Sequence, residues 1–296
     1  AGNRHNIIWI DYNAPVIGSK IVPWSYIVNT IRHYNHQKMS SRQEIILPDA
    51  TITTDSRDVF VLVIGESARS RNFSLYGYER QTNPLLAKDS VKVLNAVASD
   101  TYTREAVKAI LSYKPGETLY ELLPNYLQRN GVDVIWRTNN WGHPPLHLNK
   151  NENKNKLKER FPEADKTYDG ILFHNLKEDI LASDSTKIFV GIHTYTSHGP
   201  AYYKNVPQEH KAFLPECRTV EMANAVKSEL VNAYDNTILY TDYLVHSVIE
   251  TLKNEFPDRR SCVIFISDHG ESLGEDGNYM HGLPKDMAPA CQLEIP

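Results

Sequence analysis

Apolar and polar positions follow two periods along the chain, and each period predicts its own kind of element. Val59 to Ile64 are consecutive apolar residues, all but Leu62 β-branched or aromatic. Such a run predicts a strand buried on both faces, as in a parallel sheet covered by helices. Lys187 to Ile192 and Cys262 to Ser267 predict further apolar strands, and Val132 to Trp136 and Val91 to Val97 are shorter candidates. Between the strands the pattern turns helical. Arg104 to Ser112 holds good helix formers, with Thr103 before it at the N-cap position. Glu117 to Arg129 predicts another helix, closed by Asn130-Gly131 and kinked or split by Pro124. From Val220 to Phe256, Val226, Leu230, Tyr234 and Ile238, then Val245, Ile249 and Leu252, keep near-helical spacing, as core packing against a sheet requires. Ser67 to Tyr78 predicts a short helix and then a turn at Tyr76-Gly77-Tyr78. Asn149 to Arg160 is polar and charged, and predicts a solvated loop ahead of a basic surface for anionic lipid. Strands alternating with helices give the α/β class: an α/β/α sandwich with a mainly parallel central sheet.

The first residues stand outside this alternation. Trp24, Ile27, Val28 and Ile31 form one helical stripe. Its polar face lacks the Lys and Arg of a membrane-surface helix, so it predicts a helix packed on a domain surface. Residues 50–58 form a polar linker, so 1–58 is a peripheral segment and 59–296 the main domain. A chain of 296 residues can bury a large core. Its net charge of −4 offers no broad basic surface for nucleic acid. No apolar run approaches the roughly 20 residues that span a bilayer, and the first residues lack a signal-peptide order. Both ends read as cut from a longer protein. The three cysteines, Cys217, Cys262 and Cys291, make no disulfide framework and no thiolate zinc site. Cys262 reads as a buried core thiol, and pairing of Cys217 with Cys291 stays open.

Chemistry collects beyond the strand ends, where open α/β sheets bind ligands. Glu66 follows the first strand, Asp268-His269 the last, and His193 and His198 the strand at Lys187 to Ile192. His281 lies on the following Gly-rich loop, whereas His246 on the long helix reads as structural. Mixed carboxylate and imidazole ligands suit Zn²⁺ better than Mg²⁺. Thr103 has two roles open to it, a plain helix cap or a nucleophile at a phosphate-binding helix N-terminus. Zinc beside a hydroxyl stabilises its alkoxide, much as it lowers the pKa of bound water to about 7. Histidines opposite would hold phosphate oxygens, bind a second metal or protonate a leaving group. The pattern therefore points to metal-assisted phosphoryl or sulfuryl transfer.

Five segments carry a resemblance: VIGESARSRNFSLYGY (63–78), TNPLL (82–86), YTREAV (102–107), HTYTSHGPAYYK (193–204) and SDHGESLGEDGNYMHG (267–282). Together and in this order they resemble the phosphoethanolamine transferases of Gram-negative envelopes, within the alkaline phosphatase and sulfatase superfamily. The resemblance runs from about Val59 to the end and weakens in the first 50 residues. It implies that Glu66, Asp268 and His269 bind zinc with Thr103, and that Thr103 receives the phosphoethanolamine. It implies substrate-side roles for His198, His281 and His193, which can also hold a second zinc beside one tightly bound ion. It further implies a periplasmic catalytic domain, tethered to the inner membrane by an N-terminal membrane-spanning domain absent here. The donor would be phosphatidylethanolamine, and the acceptor lipid A, lipopolysaccharide core sugars, a periplasmic glycan or a protein.

The departures narrow what carries over. Ser99-Asp100 stand where the well-known lipid A enzymes have Cys-Gly, so their disulfide pattern does not transfer. Gly142-His143-Pro144-Pro145 stand where the family has a substrate-binding Lys. Thr101 is a nearby rival to Thr103, although the family register favours Thr103. A phosphodiesterase or sulfatase-like hydrolase on the same scaffold is the alternative, but Thr103 lacks the Cys/Ser-x-Pro-x-Arg setting of sulfatases. A non-catalytic module would predict a damaged ligand or nucleophile position, and none is damaged.

Overall fold

The computed structural model describes residues 44–116 and 118–296, with Thr30 alone before them. The stripe predicted at Trp24, Ile27, Val28 and Ile31 lies outside the described residues. Two compact units divide the chain, Ala1–Ile46 and Leu47–Pro296. The second carries the sheet. Its strands include β1 (Asp58–Gly65), β2 (Ala96–Val97), β3 (Asp133–Thr138), β4 (Lys150–Asn153), β5 (Lys187–His193) and β6 (Arg260–Ser267), with short pairs at Ser272–Leu273, Tyr279–Met280 and Glu294–Ile295. Its helices are α1 (Pro84–Lys88), α2 (Thr103–Leu111), α3 (Leu123–Arg129), α4 (Lys154–Arg160), α5 (Gly170–Phe173), α6 (Leu176–Leu181) and α7 (Lys227–Glu255).

Among the described residues, five strands form one sheet in the order β4-β3-β5-β1-β6. Every neighbouring pair in it is parallel. Side chains of β1 alternate between two cores, as a pleat requires. Val59, Val61 and Val63 join Val190, Ile192 and the α7 residues Val245, Val248 and Leu252. Leu62 and Ile64 join Trp136, Phe189 and the α2 residues Val107 and Leu111. Helices thus cover both faces, and the predicted α/β/α sandwich is what forms. Each fully buried aliphatic side chain in these layers contributes about 1.5–3 kcal/mol.

Local departures have local causes. Asn149 to Arg160 is not a loop: it holds β4 and α4. The strand pairs with β3 through its backbone, which a polar sequence does not reveal. Asn153 then caps the helix by accepting from the backbone N–H of Asn155 and Lys156, and Leu157 is completely buried. Pro124 starts α3 instead of kinking it, because the first turn needs no N–H there. Val91 to Val97 contributes only β2, which pairs antiparallel with Glu294–Ile295. Ser67 to Tyr78 forms two 3-10 turns, Ser70–Asn72 and Ser74–Tyr76, instead of a helix. Strand β6 lies at the sheet edge with most positions partly or fully exposed. Cys262 is accordingly an exposed thiol, not a core one. Cys217 and Cys291 are both buried and both free.

Candidate metal centre

The sheet register builds the centre. Gly65 of β1 lies beside Ser267 of β6, so Glu66 and Asp268 leave neighbouring strands together. The backbone turns sharply after Glu66, with Ser67 in the left-handed region at φ 55. That conformation costs a non-glycine residue about 1–2 kcal/mol. It is held because the Ser67 N–H donates to Asp268 Oδ1 at 3.0 Å and its hydroxyl to Glu66 Oε1 at 2.8 Å. His269 donates its backbone N–H to Asp268 Oδ1 at 2.7 Å. Its ring Nδ1 is 2.9 Å from the Gly270 carbonyl, which accepts that N–H and leaves Nε2 for the centre. His269 Nε2 is 3.3 Å from Glu66 Oε1 and 3.4 Å from Asp268 Oδ2.

Thr103 completes this cluster. It is the first residue of α2, one place inside the predicted cap; Tyr102 takes the cap position, without a side-chain cap bond. The Thr103 hydroxyl lies 3.2 and 3.3 Å from the two Glu66 oxygens and 3.2 Å from His269 Nε2. It also sits at the positive end of the helix dipole. Thr101, the rival nucleophile, is buried and donates its hydroxyl to the Leu283 carbonyl at 2.5 Å.

The electrostatics of the trio ask for a cation. Glu66, Asp268 and His269 are each at most 1% exposed. Burial pushes the Glu66 carboxyl up, yet its hydrogen bond to His269 and the imidazoles of His269, His198 and His281 hold it well below the usual range. Burial and the neighbouring Glu66 charge push the Asp268 carboxyl up to about 8. Burial opposes charge on His269, but Asp268 and Glu66 carry its pKa up to about 10. Asp268 Oδ2 is buried and has no hydrogen-bond donor among the described residues. A divalent ion would satisfy that oxygen and neutralise both carboxylates. The oxygen and nitrogen donors, with the Thr103 hydroxyl beside them, fit zinc.

A second trio shares Glu66. Ligand atoms of Glu66, His198 and His281 lie within 4.8 Å of one another. His198 Nδ1 is 2.7 Å from the Gly199 carbonyl, and His281 Nδ1 is 3.0 Å from Glu271 Oε2. Each Nε2 is thereby left to accept or ligate. Tyr195 stacks on His198 at 4.5 Å. His193 stands apart from both trios. It ends β5 completely buried, neither ring nitrogen has a partner among the described residues, and burial takes its pKa down to about 3. Its ring meets that of His143 edge-on at 5.8 Å. His246, read as structural from the sequence, lies on α7 with its Nδ1 2.7 Å from Asp89, which also accepts from Lys253 at 2.9 Å.

Two supports were not singled out from the sequence. Asn140, just past β3, donates to Glu66 Oε2 at 2.5 Å and to the Thr194 carbonyl at 3.2 Å. Glu271, fully buried, holds His281. Asn140 obeys the strand-end rule that found Glu66, so the signal was present. Gly142 packs directly on Thr103: a Cβ there would come within 2.5 Å of the Thr103 methyl.

With this geometry in hand, known proteins can be set beside the chain. Residues 58–296 match the protein-family model described as Sulfatase. The phosphoethanolamine transferase EptA of Helicobacter pylori is 36% identical over 301 residues, covering 99% of this chain and 57% of its own length. The C-terminal periplasmic domain of phosphoethanolamine transferase EptC from Campylobacter jejuni superposes with a TM-score of 0.69 at 34% identity, covering 84% of this chain and 81% of that one. The integral membrane lipooligosaccharide phosphoethanolamine transferase A (EptA) of Neisseria meningitidis gives 0.77 at 31% identity, covering 98% of this chain and 58% of that one. The chain spans about half the length of the curated relatives it matches.

Proposed function

The chain belongs to the sulfatase family, and from that membership we propose that residues 59–296 are the zinc-dependent catalytic domain of a phosphoethanolamine transferase. The donor is phosphatidylethanolamine, and the acceptor is an envelope molecule such as lipid A, lipopolysaccharide core or a periplasmic protein or glycan. One observation carries this reading: the Thr103 hydroxyl lies 3.2 Å from both Glu66 Oε2 and His269 Nε2, at the first turn of α2. The names of the relatives support the transferred group.

Glu66, Asp268 and His269 would hold the tightly bound zinc, and a second ion has Glu66, His198 and His281 available. When bound, zinc would supply positive charge that lowers the hydroxyl pKa of Thr103 and offsets charge on the phosphate. An imidazole of His198 or His281, across Glu66, takes the proton of Thr103 at Nε2 while the Thr103 oxygen bonds to phosphorus and the phosphorus–oxygen bond to diacylglycerol breaks, and the same imidazole delivers that proton to the departing alkoxide. In the second half-reaction the acceptor hydroxyl gives its proton to the imidazole and bonds to phosphorus, and the imidazole returns the proton to the Thr103 oxygen as its bond to phosphorus breaks. The free N–H groups opening α2 favour the phosphate oxygens throughout.

Among the described residues no helix is long and apolar enough to cross a membrane. In the proposal, the domain works in the periplasm and an N-terminal membrane domain tethers it to the inner membrane. The test is intact mass with peptide mapping after the zinc-loaded protein meets phosphatidylethanolamine. A phosphoethanolamine adduct on Thr103 is expected. Ethanolamine phosphate accumulating without an adduct would instead identify a hydrolase.

A further inference from the structure

Away from the centre, a different group of side chains converges where α1 meets α7. His246 and Glu250 are four residues apart on α7, a spacing that puts them on one face of the helix. Asp89, which caps the end of α1, comes in from the other element. One ligand atom from each of the three lies within 4.8 Å of the other two. His246 Nδ1 is 2.7 Å from Asp89 Oδ2, and the Asp89 side chain is only 5% exposed. Burial pushes the Asp89 carboxyl up, yet His246 and Lys253 hold it below the usual range, so it is charged at neutral pH. Lys253 already reaches this corner, at 2.9 Å from Asp89 and 3.3 Å from Glu250. Its side chain is 52% exposed, and exposed ion pairs are worth little. Asp242, one turn before His246, adds a third carboxylate. Its two oxygens accept from the N–H groups of Leu85 and Leu86, so it fixes the start of α1 and brings negative charge without ligating.

We infer that Asp89, His246 and Glu250 form a further metal site, one that takes a divalent ion of the zinc type. The inference is independent of the transferase reading, since none of the three belongs to the proposed catalytic centre. The donor set chooses the ion. Carboxylates alone would suit Mg²⁺ or Ca²⁺, but an imidazole beside them favours zinc and its neighbours. Ligands at about 2.0–2.1 Å from a tetrahedral zinc stand about 3.4 Å from one another. The adjustment to that spacing falls mainly on Glu250, whose side chain is 43% exposed and free to swing. Three protein ligands leave a fourth position to water. The ion puts two positive charges where one ammonium stood among three carboxylates, and Lys253 turns out to solvent as it enters. Once bound, it ties the end of α1 to the long helix α7, where Asp242 already ties the start.

Equilibrium dialysis of the full chain against zinc chloride, with bound metal counted by elemental analysis, tests this. The parent chain should hold one zinc more than His246→Ala and one more than Glu250→Ala. Glu250 is exposed, so its replacement keeps the fold, and the test does not hang on His246→Ala, which also removes the bond to Asp89. Lys253→Ala should tighten the extra zinc about two- to fivefold, because it removes the competing ammonium. That zinc should raise the melting temperature of the parent and leave that of Glu250→Ala unchanged. Excess Mg²⁺ should not displace it. Equal zinc in the parent and Glu250→Ala, weaker zinc in Lys253→Ala, or displacement by Mg²⁺ would each overturn the inference, the last by showing an acidic patch that gathers any cation. Because the count is a difference between variants that share the catalytic centre, ions held at Glu66 cancel from it.

Discussion

Asn140 donates its side-chain amide to Glu66 Oε2 at 2.5 Å, so the carboxylate at the end of β1 is aimed by a residue from the end of β3. The second Glu66 oxygen is held by the Ser67 hydroxyl. Partners of this kind fix a ligand's orientation, and losing one typically costs about 10–100-fold in metal affinity. Asn140→Ala should therefore weaken zinc by about that factor while the chain stays folded. Competition with a chromophoric chelator measures it; unchanged affinity would reject the orienting role.

The nucleophile assignment separates two neighbouring threonines. Thr103→Ala should lower transfer by about three orders of magnitude or more yet keep part of the zinc, because Glu66, Asp268 and His269 remain. Thr101→Ala should keep transfer and lose about 1 kcal/mol of stability, since its hydroxyl only bonds the Leu283 carbonyl. Rates and denaturation curves of both variants distinguish them, and the reverse pattern would exchange their roles.

Removing either Glu66 or His269 should release zinc along with activity. Metal content after gel filtration, read by elemental analysis, is the check on Glu66→Ala and His269→Ala. Full occupancy without either side chain would reject the ligand set.

Stability of the zinc-free chain should fall as pH rises from about 7 to 9. The Asp268 carboxyl is raised to about 8 and His269 to about 10. In both cases the folded state holds its proton at a pH where the unfolded chain has released it. Both contributions are therefore lost with increasing pH. A bound divalent ion replaces those protons, so the loaded chain should show a flatter profile. Thermal melts across this range with and without chelator test the sign; a melting point rising with pH in the chelated sample would contradict it.

Leu157→Ala should cost about 2–5 kcal/mol, because the side chain is fully buried in the main core. Urea denaturation measures it. A negligible cost would mean that Lys154–Arg160 does not pack as described.

Leu157 also shows where sequence patterns stop. The long β-branched runs of β1 and β5 were legible because strands buried on both faces need apolar residues at every position. β4 was not, because an edge strand needs only backbone hydrogen bonds, and Lys150–Asn153 satisfies those with polar side chains. The acidic and imidazole groups past strand ends were legible by position. What position did not give was grouping: His193 follows the same strand as His198, yet β5 ends with it inside the core, and the next five residues carry His198 across to Glu66.

The pairing of Gly65 with Ser267 joins points 202 positions apart. During synthesis, β1 emerges early and can wait against β5, but of the three proposed ligands only Glu66 is made before Asp268. On the proposed ligand set, zinc capture would therefore be a late event in the life of each molecule. An interrupted chain would carry the nucleophile and most of the sheet, yet stay chemically silent. The ion would act as a seal on a finished fold, and a cell that supplies zinc would activate only molecules whose first and last sheet strands have met.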